Sequence, residues 1–354
     1  MNELRNKSDI LSMNLQELTR FVEELGFPKF RAKQLYGWML KGIPLEQMNN
    51  LPACFVESLK SNALYALPAV EQKWVSSLDG TVKFLYRLHD GQFVESVVMQ
   101  YEHGLSICIS SQAGCRMGCR FCASTLHGKD RDLLPGELLG QILVAQREIG
   151  KRISSLVMMG IGEPLDNYDN VIRFLHLVTD KDGLNLGARH ISLSTCGLVD
   201  KIYMLAKEQF QITLSISLHA YDDEKRSSIM PVNNKWNIDS LLRACASYFQ
   251  TTGRRISFEY TLIDGVNDDE EGAKKLASLL HQYMKDMPLH VNLIPVNPVA
   301  ERGFDRSSKE RVERFKQTLI RHGINATVRR KLGADIDASC GQLRHKKREE
   351  RVGT

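Results

Sequence analysis

Apolar residues recur at helical spacing through the first stretch of the chain, to about Ala69. LQELTRFVEELG, FRAKQLYGWMLKG and PACFVESLKSNAL predict three helices, separated by the breakers Gly26, Pro28, Gly42 and Pro52. The period then shortens. VKFLYRL and FVESVVMQYE alternate and are rich in β-branched residues, which predicts two strands about a turn at Asp90 and Gly91. From about Leu105, short apolar runs alternate with longer amphipathic segments. LSICISSQ precedes GELLGQILVAQREIG, SSLVMMG precedes NVIRFLHLVTD, and HISLST precedes LVDKIYMLAKEQF. ITLSISLH precedes a helical stretch through 241–249, ISFEYTLI precedes EEGAKKLASLLHQYM, and HVNLIPVN precedes KERVERFKQTLIRHG. A last apolar piece, ATVRR, leads into the charged ending RHKKREERVGT, which reads as a solvated tail.

Strands alternating with helices of this length imply parallel βαβ units. Six of them predict an α/β fold, a partial (β/α)6 TIM-like barrel with a small helical N-terminal accessory domain; a closed barrel takes eight. The expected division is 1–70 for the accessory domain, 71–104 for a short β extension, 105–332 for the barrel and 333–354 for a C-terminal segment with its basic tail.

Composition narrows the class without choosing a chemistry. With 354 residues, 43% of them apolar and 25% charged, the chain can bury a large core, which excludes a disordered or low-complexity protein. No run approaches the roughly 20 apolar residues that cross a bilayer, and MNELRNKSDILSMNLQEL is too polar for a secretory signal. A cytoplasmic protein without a membrane partner is expected. The net charge of +5 is compatible with a nucleic-acid partner. Eight cysteines are too sparse for a disulfide scaffold, so in a reducing compartment they are buried thiols, metal ligands or reactive groups.

Barrels of this kind do their chemistry at the C-terminal ends of the strands. Those ends read Cys115-x3-Cys119-x2-Cys122, then Gly162, Glu163 and Pro164, then Ser194 and Thr195, then Ser217, Leu218 and His219, then Pro295, Val296 and Asn297. All are small, polar or metal-binding in type, and all fall at one mouth. Three cysteines on a loop can hold three corners of a cubane iron–sulfur cluster, leaving one iron open to a small molecule. Structural zinc is the rival. Cys119-x2-Cys122-x4-His127 matches part of a zinc knuckle, but position 132, where its last ligand belongs, is Asp132. Zinc held by Cys115, Cys119, Cys122 and His127 stays open. Gly162 suits close backbone approach to a ligand, and Glu163 can accept from an amino group. Glu95, inside an apolar strand, needs a partner or takes a raised pKa, as a general base does. Cys108 alternates along its strand as a core thiol would, whereas Cys340 in DIDASCGQL has a polar, small-residue setting that favours reactivity. Cys54, Cys196 and Cys245 read as structural.

The cysteine spacing after the first barrel strand resembles the radical S-adenosylmethionine superfamily. SSQAGCRMGCRFCAS, MGIGEPLDN, RHISLST, ISLHA, RISFEYTLIDGVND, HVNLIPVNP and DIDASCGQL resemble the RlmN family of dual-specificity ribosomal RNA adenine-C2 methyltransferases along nearly the whole chain. FRAKQLYGWMLKG resembles that family's accessory domain. On its own, this helix's mix of Lys29, Arg31, Lys33 and Lys41 with Tyr36 and Trp38 reads first as a solvated helix with an aromatic packing face, ahead of an RNA-touching surface.

The resemblance implies a [4Fe–4S] cluster on Cys115, Cys119 and Cys122, its open iron binding S-adenosylmethionine. Two molecules of that cofactor serve each turnover, one as methyl donor and one as source of a 5′-deoxyadenosyl radical. Further cofactor contacts are implied at Gly162, Glu163, Ser194, Ser217, Leu218, His219 and Asn297. Cys340 is implied as the S-methylcysteine carrier, Glu95 as the proton acceptor and Cys108 as the resolving thiol, in a transient disulfide with Cys340. The implied partners are 23S ribosomal RNA at the peptidyl-transferase centre, transfer RNA at the adenine beside the anticodon, and an electron donor such as flavodoxin or ferredoxin. The chain is expected to be a monomer. Basic side chains, including Arg254, Arg255, Arg329, Arg330 and Lys331 near the strand ends, would draw RNA.

Two other readings compete. An adenine-C8 methyltransferase conferring antibiotic resistance shares the cysteine, Glu95 and Cys340 positions, but GEPL and LIPVNPV favour C2. A zinc-stabilised RNA-binding protein leaves Glu95, Glu163 and DIDASCGQL without work to do. A radical enzyme acting on a small molecule has no need of the N-terminal helices or the distant Cys340.

Overall fold

A reciprocal cap starts the first helix. In the computed structural model, which describes residues 7–285 and 287–343, the Asn14 side chain accepts the Glu17 N–H at 2.9 Å. The Glu17 carboxylate accepts the Asn14 N–H at 2.8 Å in return. A two-residue strand β1 (Ser8–Asp9) precedes this cap; helices α1 (Leu15–Glu24), α2 (Phe30–Met39) and α3 (Ala53–Asn62) follow, and β2 (Ala63–Leu64) returns to pair parallel with β1. Leu18, Val22, Leu35, Phe55 and Leu59 turn inward to one core shared with the rest of the molecule.

A meander of β3 (Ala69–Val75), β4 (Val82–Arg87), β5 (Phe93–Tyr101) and β6 (Gly104–Cys108) comes next, each strand antiparallel to its predecessor. A short hairpin, β7 (Gln112–Gly114) with β8 (Lys129–Asp132), stands apart from the main sheet. The remaining chain alternates: α4 (Pro135–Ile149), β9 (Ile153–Met158), α5 (Tyr168–Thr179), β10 (Ile191–Thr195), α6 (Val199–Lys207), β11 (Thr213–Ser217), α7 (Asp223–Ile229), α8 (Ile238–Thr252), β12 (Ile256–Leu262), α9 (Glu270–Met284), β13 (Leu289–Pro295), α10 (Lys309–Arg321) and β14 (Ala326–Val328).

One ten-stranded sheet runs β14-β13-β12-β11-β10-β9-β6-β5-β4-β3. From β6 to β14 the pairing is parallel, and β3 and β14 form the two edges, so the barrel is open as expected. Every residue of β12 is buried, the signature of a parallel strand covered on both faces. Besides the two-residue pair β1–β2, three elements were not anticipated. ATVRR holds β14, a seventh parallel strand; AVEQKWV forms the edge strand β3; and the β7–β8 hairpin frames the cysteine loop.

The segments on either side of the N-terminal helices sit on α4 through two glycines on one face of it. A Cβ on Gly136 would meet Leu11 Cβ at 2.8 Å, and one on Gly140 would meet Pro68 Cδ at 2.5 Å. Any side chain there would push the two layers apart. Arg147 completes the contact, donating to the Gly42 carbonyl at 2.6 Å.

Parallel strands bring all their C-terminal ends to one edge, and this also corrects one expectation. Arg254 and Arg255 precede β12, which puts them at the opposite, N-terminal edge; Arg329, Arg330 and Lys331 follow β14 and stand at the mouth. Among the described residues no helix is long and apolar enough to cross a membrane. The basic ending RHKKREERVGT lies outside the described residues.

Candidate active site

The cysteine loop is pinched at its neck. Gly114 has φ +78°, and a Cβ there would stand 2.0 Å from the Gly128 carbonyl, so only glycine lets the two sides of the hairpin close. The Cys115 N–H then donates to that same carbonyl at 2.9 Å. Asp166, on the loop after β9, ties the hairpin down by accepting from Gln112 at 2.8 Å, Lys129 at 2.9 Å and Arg116 Nε at 3.1 Å. Burial pushes the Asp166 carboxyl up, but these partners outweigh it and hold it below its ordinary range.

Cys115, Cys119 and Cys122 line one cavity with Gly162, Glu163, Ser194, Ser217, His219 and Asn297. Leu218 is the exception among the expected cofactor residues. Its side chain is wholly buried in the core, and its carbonyl accepts Arg226 Nε at 3.1 Å. Gly162 is required for a different reason from the one expected. At φ +107° a Cβ would meet Gln112 N at 2.7 Å, so the glycine allows the strand end to pass the hairpin as well as bordering the cavity. Glu163 is buried and takes two backbone N–H groups, from Cys196 at 2.7 Å and Leu165 at 3.0 Å. Burial raises its pKa, and these bonds offset only part of the effect. His219 accepts the Thr261 N–H on Nδ1 at 2.9 Å, which leaves the ring proton on Nε2. Burial, helped by Arg226, pushes its pKa down to about 3, so it is a neutral donor.

Cys340 borders this cavity and also a second one, which it shares with Cys108 at the end of β6. All eight cysteines are free thiols. Burial, with the nearby Cys340, pushes Cys108 up to about 12. Asn297 Nδ2 donates to the Cys340 carbonyl at 3.0 Å, and the Ala123 N–H to the Gly341 carbonyl at 2.8 Å. Glu95 does not share either cavity. It borders an adjacent groove behind the segment around Asp335 to Gln342, and its Oε1 pairs with Lys83 Nζ at 3.5 Å.

Two site residues had no readable signal. Cys196, expected to be structural, lines the cofactor cavity, and its N–H anchors Glu163. Arg226 is wholly buried; it donates to the carbonyls of Cys196 at 2.7 Å, Ser217 at 3.2 Å and Leu218 at 3.1 Å, fastening two strand ends. Only a strand-end arrangement already known could have found it.

Zinc fits poorly. His127 borders a separate crevice with Phe93 and Ala113, and among the described residues no three His, Cys, Asp or Glu side chains converge as the ligands of a single ion do. A cluster spreads its thiolates over several irons and asks for a wider set.

A family model described as the Radical SAM superfamily matches residues 109–277, and one described as the Ribosomal RNA large subunit methyltransferase N-terminal domain matches residues 8–64. The "Probable dual-specificity RNA methyltransferase RlmN" of Clostridium botulinum (strain Eklund 17B / Type B) is 53% identical over 337 residues, 95% of this chain and 96% of that one. Its namesake in Clostridium acetobutylicum is 51% identical over 346 residues, 98% of this chain and 99% of that one. A crystal structure of a radical SAM methyltransferase from Sphaerobacter thermophilus matches with a TM-score of 0.90 at 41% identity, covering 95% of this chain and 99% of that one.

The cofactors of the radical SAM superfamily are a [4Fe–4S] cluster and S-adenosylmethionine, and the cavity fits both. Burial pushes Cys115 up to about 12 and raises Cys119 and Cys122 as well. Buried thiols of this kind become thiolate ligands when an iron group brings the positive charge. Glu163, Ser194, Ser217, neutral His219 and Asn297 line the cavity with acceptors and donors that could hold a polar, amino-acid-bearing cofactor. With site, fold and relatives in agreement, the chain belongs to the RlmN family of radical S-adenosylmethionine methyltransferases.

Proposed function

We propose that this chain methylates C2 of an adenine in 23S ribosomal RNA and C2 of the adenine beside the anticodon in some transfer RNAs. The names of its relatives, RNA methyltransferases of dual specificity, support the substrate class. GEPL and LIPVNPV support C2 over C8. It works as a cytoplasmic monomer, reduced by a flavodoxin or ferredoxin. Residues 1–70 form the RNA-contacting accessory domain, 71–104 the extension carrying Glu95, 105–332 the barrel, and 333–354 the carrier segment.

The observation that carries the reading is the position of Cys340, on the border between the cofactor cavity and the cavity of Cys108. C2 of adenine is electron-poor, so a polar methyl transfer to it fails and a carbon radical succeeds. Cys115, Cys119 and Cys122 would hold the cluster, and Gly162, Glu163, Ser194, Ser217, His219 and Asn297 would hold S-adenosylmethionine, while the Leu218 N–H and carbonyl are already committed to Glu259 and Arg226. Together these cofactors supply a methyl group and a hydrogen-abstracting radical. Cys340 takes the methyl group on its sulfur and delivers it to the base as a covalent bridge. Glu95 takes the C2 proton, reaching the base once the carrier segment moves from between them. Cys108, its proton lost to solvent, then bonds to the Cys340 sulfur; the S–CH2 bond breaks, its electron pair goes to the methylene carbon, which takes up a proton to become the methyl group, and an external thiol reduces the disulfide left behind.

The test is anaerobic reconstitution with iron and sulfide, followed by incubation with S-adenosylmethionine, reductant and unmodified large-subunit RNA or transfer RNA. Digestion to nucleosides should yield C2-methyladenosine. C8-methyladenosine would replace the proposed position, and no methyladenosine from cluster-loaded protein would overturn the substrate.

A further inference from the structure

Glu95 stands on β5 within the sheet, and its side chain is buried. A buried carboxyl keeps its charge only beside a partner; left alone, it is most stable as the neutral acid. The partner comes from the neighbouring strand. Lys83 on β4 is buried as well, and its Nζ lies 3.5 Å from Glu95 Oε1. Strand pairing sets Lys83 opposite Val97, with Glu95 two residues earlier on the same face. Trp74 on β3 pairs with Lys83 from the other side, and the ammonium sits 4.8 Å from the centre of its ring. The same ammonium donates to the Asp337 carbonyl at 3.4 Å. Asp335 and Asp337 also border the groove of Glu95, but both are exposed and have water for a partner. Val97 in turn pairs with Cys108 and packs with it against Ala338 and Leu343. One face of three adjacent strands thus carries Trp74, Lys83 and Glu95, with Cys108 on the next strand.

We propose that Lys83 is a positioning residue for the methyl transfer, holding Glu95 ionised at the groove until the adenine arrives. The role rests on Glu95 being the acceptor of the C2 proton. When that proton moves, the C2–H electron pair stays with the ring and a Glu95 oxygen gains the proton. Glu95 is then neutral, and a lysine with no other contact would be a stranded buried cation. The face of Trp74 still holds it, and so does the Asp337 carbonyl whenever the carrier segment is in place. Lys83 therefore keeps its charge through the step in which Glu95 loses its own. Without Lys83 the carboxyl would be protonated in advance, and an acid that already has its proton accepts no other.

The full chain, reconstituted anaerobically with iron and sulfide, tests this on RNA carrying hydrogen or deuterium at C2 of its adenines. Lys83→Met should still load Cys340 with methyl, read by mass spectrometry, yet methylate RNA about 10-fold or more slowly. Its preference for hydrogen over deuterium should exceed that of the unaltered chain, because loss of the C2 proton has become the slow step. Lys83→Arg, which keeps a cation beside Trp74, should recover most of the rate. A slow Lys83→Met with the hydrogen-to-deuterium ratio of the unaltered chain overturns the proposal, and so does one that works at full rate. The infrared difference between the unaltered chain and Glu95→Gln should show an ionised carboxylate. A protonated acid there overturns the proposal even if Lys83→Met does not fold. Full methylation by Glu95→Gln overturns the proton-acceptor reading instead.

Discussion

The two walls of the active cavity are held in different ways. The cysteine loop and the strand ends are fastened through buried groups that each make several bonds: Asp166 to Gln112, Lys129 and Arg116, Glu163 to two backbone N–H groups, and Arg226 to three carbonyls. The opposite wall, residues 333–343, is held largely from the surface: exposed Asp335 accepts from Ser76 and Ser77, the Gly333 N–H donates to Asp79, and Asn297 and Ala123 hold the carbonyls of Cys340 and Gly341 beside a small satellite core. There Ala338 and Leu343 meet Val97, Cys108 and Ile161, apart from the main core. Groups that hold a cofactor need one geometry, whereas a residue that takes a methyl group in one cavity and gives it up elsewhere needs two. Under the proposed function, this difference in anchoring would divide the site into a fixed holder and a carrier that moves.

The largest effects should come from the fixed wall. Cys115→Ala removes a cluster ligand, and methylation should fall by about 10³-fold or more, the scale of losing one member of a group that acts as a unit. Iron content measured beside activity separates this from misfolding, since the folded protein should survive without its brown colour. Cys108→Ala strikes the carrier side at a later step. Turnover should stop with a covalent protein–RNA adduct, visible as a shifted band that nuclease digestion trims. Normal turnover by Cys108→Ala would remove the resolving role and the second cavity's part in the reaction.

Truncations of apolar side chains test the division through stability alone. Leu214 is fully buried in the middle of the sheet, and Leu214→Ala should cost about 2–5 kcal/mol in denaturant unfolding. Leu343 belongs to the satellite core, so Leu343→Ala should leave the global transition within about 1 kcal/mol and instead speed proteolysis of the segment. An equal global loss from both would mean that the carrier segment is part of the cooperative fold.

The same contrast explains what was readable in the sequence. The parallel strands and their helices announce themselves because strands covered on both faces must be apolar throughout, as in ISFEYTLI. The fixed wall was legible because its residues sit at the ends of those strands. The β7–β8 hairpin was not, since QAG and KDRD carry no strand pattern and pair only because Asp166 and Gly114 hold them together. Arg226 was hidden in DEKRSSI, which looks like a solvated helix; its burial depends on carbonyls brought from two other strands. Glu95 was legible as an anomaly in an apolar strand, but its partner Lys83 and its separation from Cys340 by the carrier segment exist only in three dimensions.

A smaller effect should appear when the anchor of the fixed wall is titrated. The Asp166 carboxyl lies below its ordinary pKa in the folded chain, so it adds stability above the unfolded value and that contribution is lost as pH falls through the folded value. Arg116, one partner, has a side chain 62% exposed, which screens the interaction. Asp166→Asn should therefore cost about 1–2 kcal/mol at pH 7 and flatten the acid-side decline between the two pKa values, measured by urea unfolding at a series of pH values. If the variant declines with acid as steeply as the parent, Asp166 does not carry the anchoring.

The smallest effect compares the two ends of the barrel. Lys331 follows β14 at the mouth and lines the cavity of Cys108, while Arg255 precedes β12 at the far edge. If RNA enters at the mouth, it passes the first charge and not the second. Lys331→Ala should weaken RNA binding and reduce the slope of log affinity against log salt by about 1, with little dependence on RNA sequence. Arg255→Ala should leave both affinity and slope unchanged. A loss of slope in Arg255→Ala equal to that in Lys331→Ala would mean that RNA wraps the barrel and touches both edges. The mouth would then no longer be the sole docking face, and the carrier would be one contact in a larger interface.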